Sequence, residues 1–324
     1  MASAAVQDGR AQALLALLGR LEDDGYDFVT PTPATHARVL SRAPAVDEDP
    51  VRQLLGWSRT LPRGAAPAPI VELLAAAEAL EVRSGGVRSG GVRSTVRVSR
   101  LKGLLFLHSA YPTTAVDAVF LGPDSYRFAD FIEHELPRDF EGLAVDLGGG
   151  CGVGALVAAR RAPGARMLVS DINPRALTFA RINAAHAGIA VAARLADGLE
   201  GAPEAFDLVM ANPPYMANAS QTYCDGGDLH GARLSLAWAE AALQRLRPGG
   251  RMLLYTGSAI VRGGADPLRS ALAARCARQG ARLEYREIDP DVFGEELETE
   301  AYADIERIAA VGAVITAAGG GGAG

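Results

Sequence analysis

Val145-Asp146-Leu147-Gly148-Gly149-Gly150-Cys151-Gly152-Val153-Gly154 closes an apolar run and opens a helical one. Glycines at 148, 149, 150 and 152 let the backbone turn tightly and approach a ligand with no side chain in the way. A helix that starts directly after such a turn presents unpaired N–H groups to an anion. Working outward, apolar strands begin near Leu143, Arg166, Val191, Asp207 and Arg251, with helical segments between the earlier ones. That alternation predicts a parallel sheet covered on both faces. Gly249-Gly250 after Pro248 is a turn into a strand at Met252–Thr256, and further strands are expected at Arg282–Ile288 and Ile308–Ala317. In an open sheet of this kind ligands collect outside the carboxyl ends of the strands, so residues just past each strand are the candidates for chemistry.

One such end is unusual. The apolar run Phe206–Met210 is followed by Ala211-Asn212-Pro213-Pro214-Tyr215. Prolines fix φ and donate no backbone hydrogen bond, so their carbonyls and the Asn212 amide oxygen form a rigid row of acceptors. Tyr215 adds a flat face. The row suits a planar group that carries N–H donors: a nucleobase amine, an amide, or a similar small-molecule nitrogen. Other strand ends carry acids. Asp171 begins Asp171-Ile172-Asn173-Pro174-Arg175-Ala176-Leu177, in which Asn173-Pro174 favours a helix start. Asp197-Gly198 follows the third strand. Acids at strand ends also cap helices, and Gly150-x-Gly152-x-x-Ala155 with Asp171 about twenty residues on satisfies the dinucleotide fingerprint. A nucleotide-dependent oxidoreductase therefore competes on these residues alone.

Taken in order, these motifs resemble class I S-adenosylmethionine (SAM) methyltransferases of the Asn-Pro-Pro-Tyr group, which methylate nitrogen. The resemblance runs from about residue 120 to 256. It implies a doubly wound, Rossmann-like, seven-stranded and mostly parallel sheet with SAM as cofactor. Asp146, Gly148, Gly149, Gly150 and Gly152 would face its methionine portion, and Asp171 with Ile172 its ribose side. Asp197 and Gly198 would lie near the adenine amine, with Tyr126 packed over the ring. Asn212, Pro213, Pro214 and Tyr215 would form the catalytic row, with Asn212 also touching the cofactor. Phe120–Ser125 resembles the segment that closes over the cofactor in glutamine-directed release-factor methyltransferases, without its Arg-Pro pair. Asp225–Gly231 falls where that branch has a Gly-Gly-x-x-Gly loop.

The rest of the chain is less specific. At 324 residues and 49% hydrophobic it suggests about two domains. Residues 1–94 read as a helical domain, with helices around Ala11–Leu21 and Val71–Leu80. This domain ends in an Arg/Gly repeat from Val82, read as a flexible linker or hairpin tip. Arg83, Arg88, Arg93, Arg97, Arg100 and Lys102 fall in that region with no acid among them, and a solvated basic loop is the expected reading. Residues 95–118 read as a β-hairpin connector, 119–317 as the SAM domain beginning with a helix at Asp124–Glu135, and 318–324 as a tail. Three dispersed cysteines and five dispersed histidines give no metal or redox spacing. No leader or membrane span is visible, so a cytoplasmic protein is expected.

A net charge of −6 weakens a nucleic-acid reading and tilts the acceptor slightly toward a small molecule over a protein glutamine or an RNA base. Two further alternatives stay open. The same scaffold could cyclise the methionine chain of SAM to azetidine-2-carboxylate and methylthioadenosine, or it could bind SAM or RNA without turnover.

Overall fold

The computed structural model describes residues 8–43, 47–83, 90–200, 205–216 and 230–319. The chain divides into two compact units. The first comprises residues 1–126 together with 150–156 and 173–193; the second comprises 127–149, 157–172 and 194–324.

The first unit is not the purely helical segment expected. Helices α1 (Gly9–Asp23), α2 (Pro33–Leu40) and α3 (Ala68–Ala76) are joined by β1 (Leu61–Pro62), β2 (Leu80–Arg83) and β3 (Gly91–Ser94), which form a sheet in the order β1-β3-β2. The Arg/Gly repeat is the cause. Val82 opens its first copy and Val92 its third, and these two valines are antiparallel partners. The flanks of the repeat are thus strands of one hairpin, and the intervening residues 84–89 lie outside those described. The next hairpin, β4 (Val96–Leu101) and β5 (Leu104–Ser109), matches its expectation. Its turn residues Lys102 and Gly103 both have positive φ, 51° and 76°, as a two-residue turn matched to strand twist requires. This hairpin belongs to the N-terminal unit and is not a separate connector.

Arg97, read as part of a solvated basic loop, is instead buried, while Arg83 is exposed and Arg88 lies outside the described residues. Arg97, on β4, is 3% exposed. Its guanidinium lies over Phe28, and Nη2 is 3.5 Å from His36 Nδ1. Burial without a carboxylate lowers its pKa to about 10. His36 faces the carbonyl of Trp57 through Nε2 at 2.9 Å, and burial beside Arg97 lowers its pKa to about 4. Burial also holds His108 well below the usual histidine range. Both imidazoles are therefore neutral when folded and bind a proton near pH 6.5 once unfolded. Their folded pKa values are depressed, so their contribution is present above about pH 6.5 and is lost as pH falls toward 4. We expect the urea midpoint to drop across that interval, and His36→Gln to flatten part of the fall.

The second unit carries the main sheet. Helices α7 (Arg233–Leu243) and α8 (Pro267–Arg278) lie in this unit with most of α4 (Pro123–Glu135) and α5 (Val153–Arg161), while α6 (Pro174–His186) belongs to the first unit. The strands are β6 (Gly142–Leu147), β7 (Ala165–Asp171), β8 (Val191–Leu195), β9 (Phe206–Ala211), β10 (Leu246–Val261), β11 (Arg282–Asp289) and β12 (Ile305–Thr316). Their order is β11-β12-β10-β9-β6-β7-β8. The pairs β6–β7, β6–β9 and β9–β10 are parallel, and β12 runs antiparallel to both its neighbours. The Pro248-Gly249-Gly250 turn is absorbed into β10 as a register shift between Leu246 and Arg251. One apolar cluster fills this unit, from Val145, Val209 and Met252 on the sheet to Leu236 and Leu272 on α7 and α8. Among the described residues no helix is long and apolar enough to cross a membrane.

Candidate active site

The order in which strands are added reverses between the parallel neighbours β6 and β9, since β7 and β8 lie to one side of β6 and β9 and β10 to the other. Such a switch point is where ligands bind in open α/β sheets. Register sets what meets there. Leu147 pairs with Ser170 on β7 and with Ala211 on β9. Gly148, Asp171 and Asn212 therefore leave three adjacent strands at the same level. The carbonyl of Asp171 accepts from Ala196 N at 3.1 Å, which brings Asp197-Gly198 to the same rim.

The glycine turn is held from below. Gly148 N and Gly149 N donate to the Ser170 carbonyl at 2.8 and 3.2 Å, and the Ser170 hydroxyl donates to the Gly198 carbonyl at 2.9 Å. Gly148, Gly150 and Gly152 have φ of 63°, 54° and 88°, a region L side chains avoid. Each glycine answers a different neighbour. A methyl at Gly148 would lie 2.4 Å from Trp238 Cη2, and one at Gly149 would lie 2.7 Å from Val169 Cγ1. A methyl at Gly150 would meet nothing within 4 Å, so that glycine keeps space open above the turn. In the N-terminal unit, Asn183 is fully buried. Its amide nitrogen donates to the carbonyls of Cys151 and Leu107 at 3.0 and 3.1 Å, and its oxygen accepts from Leu107 N at 2.8 Å. The clamp of Asn183 on the Cys151 carbonyl carries no signal in the sequence. Trp238 also touches Gly148 and comes near Gly198. A tryptophan in a later helix carries no signal for such a contact.

Asp146 and Asp171 are buried, whereas Asp197 is exposed. Ile172 is 68% exposed. A large exposed aliphatic side chain next to a buried acid suits a nucleoside, whose hydroxyls need acceptors and whose base needs an apolar face. This rim therefore fits SAM: Asp171 would take the ribose, Ile172 the adenine, and the backbone of Gly148 and Gly149 the methionine portion.

At the end of β9, Pro213 and Tyr215 are buried while Asn212 and Pro214 are half-buried. The Asn212 side chain makes no hydrogen bond among the described residues, so its amide is uncommitted. Tyr215 is 7% exposed, edge-on to Phe293 at 5.9 Å. Its ring lies where a methyl on Gly257 would come within 2.2 Å. The backbone of Gly231 packs as closely on the Tyr215 carbonyl, at 2.0 Å from where its methyl would be. The tyrosine therefore braces the row through its packing, a role the flat-face reading missed.

Other expected residues have surroundings of their own. Tyr126 belongs to the N-terminal unit, where its hydroxyl oxygen accepts from Thr30 N at 3.1 Å. His230 has a left-handed backbone, φ 53°, and faces Asp304 at 3.1 Å. The loop from Asp225 to Leu229 lies outside the described residues. Among the described residues no cluster of metal-ligating side chains occurs.

Comparison with known proteins bears on the same segment. Residues 129–260 match the methyltransferase small domain family. A release factor glutamine methyltransferase of Cereibacter sphaeroides is 35% identical over 160 residues, 44% of this chain and 56% of that protein. A ribosomal RNA small subunit methyltransferase C of Pseudomonas aeruginosa is 31% identical over 111 residues, 34% of this chain and 31% of that protein. The match thus spans less than two thirds of either relative. In fold, a transferase of Pyrococcus horikoshii superimposes with a TM-score of 0.51 at 14% identity, covering 89% of this chain and 100% of that one.

Proposed function

From the membership of residues 129–260 in the methyltransferase small family, we propose that this protein transfers a methyl group from SAM to a planar nitrogen. The observation that carries the reading is the uncommitted Asn212 amide, level with the glycine turn and with Asp171 on adjacent strands. Bound SAM supplies an electrophilic methyl on a sulfonium. The chain supplies position. Asn212 Oδ1 and the Pro213 carbonyl accept hydrogen bonds from the acceptor N–H groups, which turns the nitrogen lone pair toward the methyl carbon. Transfer would form an N–C bond as the C–S bond breaks, with that electron pair left on sulfur and one proton of the nitrogen lost to water, and Asn212 and Pro213 would hold the nitrogen in line for it. Holding two reactants in line contributes about 7–11 kcal/mol in favourable systems, so no strong base is required.

The relatives' names refine the acceptor. One acts on a glutamine of a release factor and the other on ribosomal RNA. Both names favour a macromolecular nitrogen over the small molecule expected from net charge. The proof is product analysis: SAM incubated with the protein and separate small-molecule, protein and RNA fractions, with nucleosides followed by mass spectrometry. S-adenosylhomocysteine formed with only one fraction supports the reading and names the acceptor class. Methylthioadenosine formed from SAM alone would replace it with cyclisation.

Cofactor binding has its own prediction. Asp171→Asn keeps the shape of the acid and removes its charge. A hydrogen bond to a charged group is worth about 1.5–3 kcal/mol, so SAM affinity by calorimetry should fall roughly 10- to 100-fold. Unchanged affinity would remove Asp171 from the ribose site.

A further inference from the structure

The N-terminal unit contains a cavity of its own, about 310 Å3, lined by Ser58, Arg59, Thr60, Arg83, Arg93 and Tyr111 among others. This volume is at the lower end for small-ligand sites, roughly 300–1,000 Å3. Among the described residues three guanidinium groups line it against one carboxylate, Glu81, which lies 3.5 Å from Arg83 and 3.9 Å from Arg93. Among the described residues Arg59 has no carboxylate partner. Its Nη groups donate to the carbonyls of Leu40, Val39 and Arg42, and its Nε is buried without an acceptor. Arg93 is fixed at the wall by donating to the carbonyls of Ser58 and Tyr111. Behind the wall, the Tyr111 ring stacks on His36 at 4.1 Å, and His36 in turn faces the acid-free buried Arg97. Arg59, Arg93 and Arg97 thus hold half-buried or buried positive charge that Glu81 alone among the described carboxylates offsets, a costly arrangement, while Arg83 adds an exposed charge at the rim.

We infer that this cavity binds a phosphate monoester on a planar base: a nucleotide, free or at the phosphorylated end of an RNA. The charge count selects the phosphate. Three guanidiniums and one carboxylate leave two positive charges, which matches the charge of about −1.5 to −2 on a phosphate monoester at neutral pH better than the single charge of a carboxylate or phosphodiester. Arginine forks suit phosphate oxygens geometrically. Tyr111, backed by the neutral His36 ring, supplies an aromatic wall for the base. The inference does not rest on the methyl-transfer reading, because it is measured by binding without turnover.

The test is calorimetry on the full chain saturated with S-adenosylhomocysteine, so that nucleosides do not report on the SAM rim. The probes are uridine monophosphate, uridine, and one short RNA with and without a 5′-phosphate. Saturable binding of the phosphorylated probes, with at least tenfold weaker binding of uridine and of the 5′-hydroxyl RNA, is expected. Arg83 is exposed and among the described residues its side chain makes only the long Glu81 contact, so Arg83→Glu should keep the wild-type Tm and weaken uridine monophosphate roughly tenfold or more. Arg83→Lys should weaken it only a few-fold. Equal affinity for uridine monophosphate and phosphorylated RNA points to a free nucleotide; much tighter RNA binding points to a strand end. No binding by wild type, equal binding of dephosphorylated probes, or an Arg83→Glu protein that binds normally overturns the inference.

Discussion

Asn212→Ala is expected to lower the methyl-transfer rate about 100- to 1,000-fold while leaving SAM affinity within a few-fold of wild type. The magnitude is that of deleting one preorganised hydrogen-bonding group aimed at developing charge. The selectivity follows from the structure. The Asn212 amide makes no hydrogen bond among the described residues, and the side chain is only half-buried, so truncation breaks nothing that holds the strand end. Pro213 and Tyr215 stay buried and keep the backbone row in place. Single-turnover rates with saturating SAM, beside calorimetric SAM affinities and Tm, separate the outcomes. A full rate with the true acceptor would falsify the assignment of Asn212, and a large fall in Tm would move the residue from chemistry to scaffolding.

The second large effect comes from two alanines only two residues apart. Gly148→Ala combines a left-handed φ of 63° with a methyl 2.4 Å from Trp238 Cη2. The backbone term costs about 1–2 kcal/mol and overpacking about 1–3 kcal/mol, so Tm should fall by several degrees. Gly150→Ala carries the backbone term alone, because nothing lies within 4 Å of the added methyl. Its Tm should change less, yet its SAM affinity should fall tenfold or more, since the methyl enters the space left above the turn. The pattern to look for is stability lost mainly at 148 and affinity lost mainly at 150. Wild-type SAM affinity in Gly150→Ala would mean that the cofactor does not approach the backbone there.

Much of this was legible beforehand because it is local. A strand that ends in glycines, an Asn-Pro that opens a helix, and prolines that stiffen a strand end are short-range consequences of φ limits and hydrogen-bond supply. Residues 145–154 and 171–177 therefore announce strand, turn and helix wherever the chain goes next. The repeat at Val82 was harder. Its glycines speak against regular structure, yet its ten-residue spacing puts Val82 opposite Val92. A pairing of that kind depends on two segments at once. Arg97 was misread for a related reason: in sequence it is one of six basic residues, and only the packing of β4 against Phe28 and His36 shows that it is buried.

The sequence by itself determined the α/β class, the positions of the parallel strands, and the residues at their carboxyl ends. Tertiary structure alone decided that Gly148, Asp171 and Asn212 stand level, because register is a property of paired strands and not of either one. It alone assigned Trp238 to the underside of the glycine turn and Asn183 to the Cys151 carbonyl. It alone gathered Arg59, Arg83 and Arg93 around Tyr111. Those contacts join residues tens of positions apart, and their energies arise from burial and close packing, which no local pattern encodes.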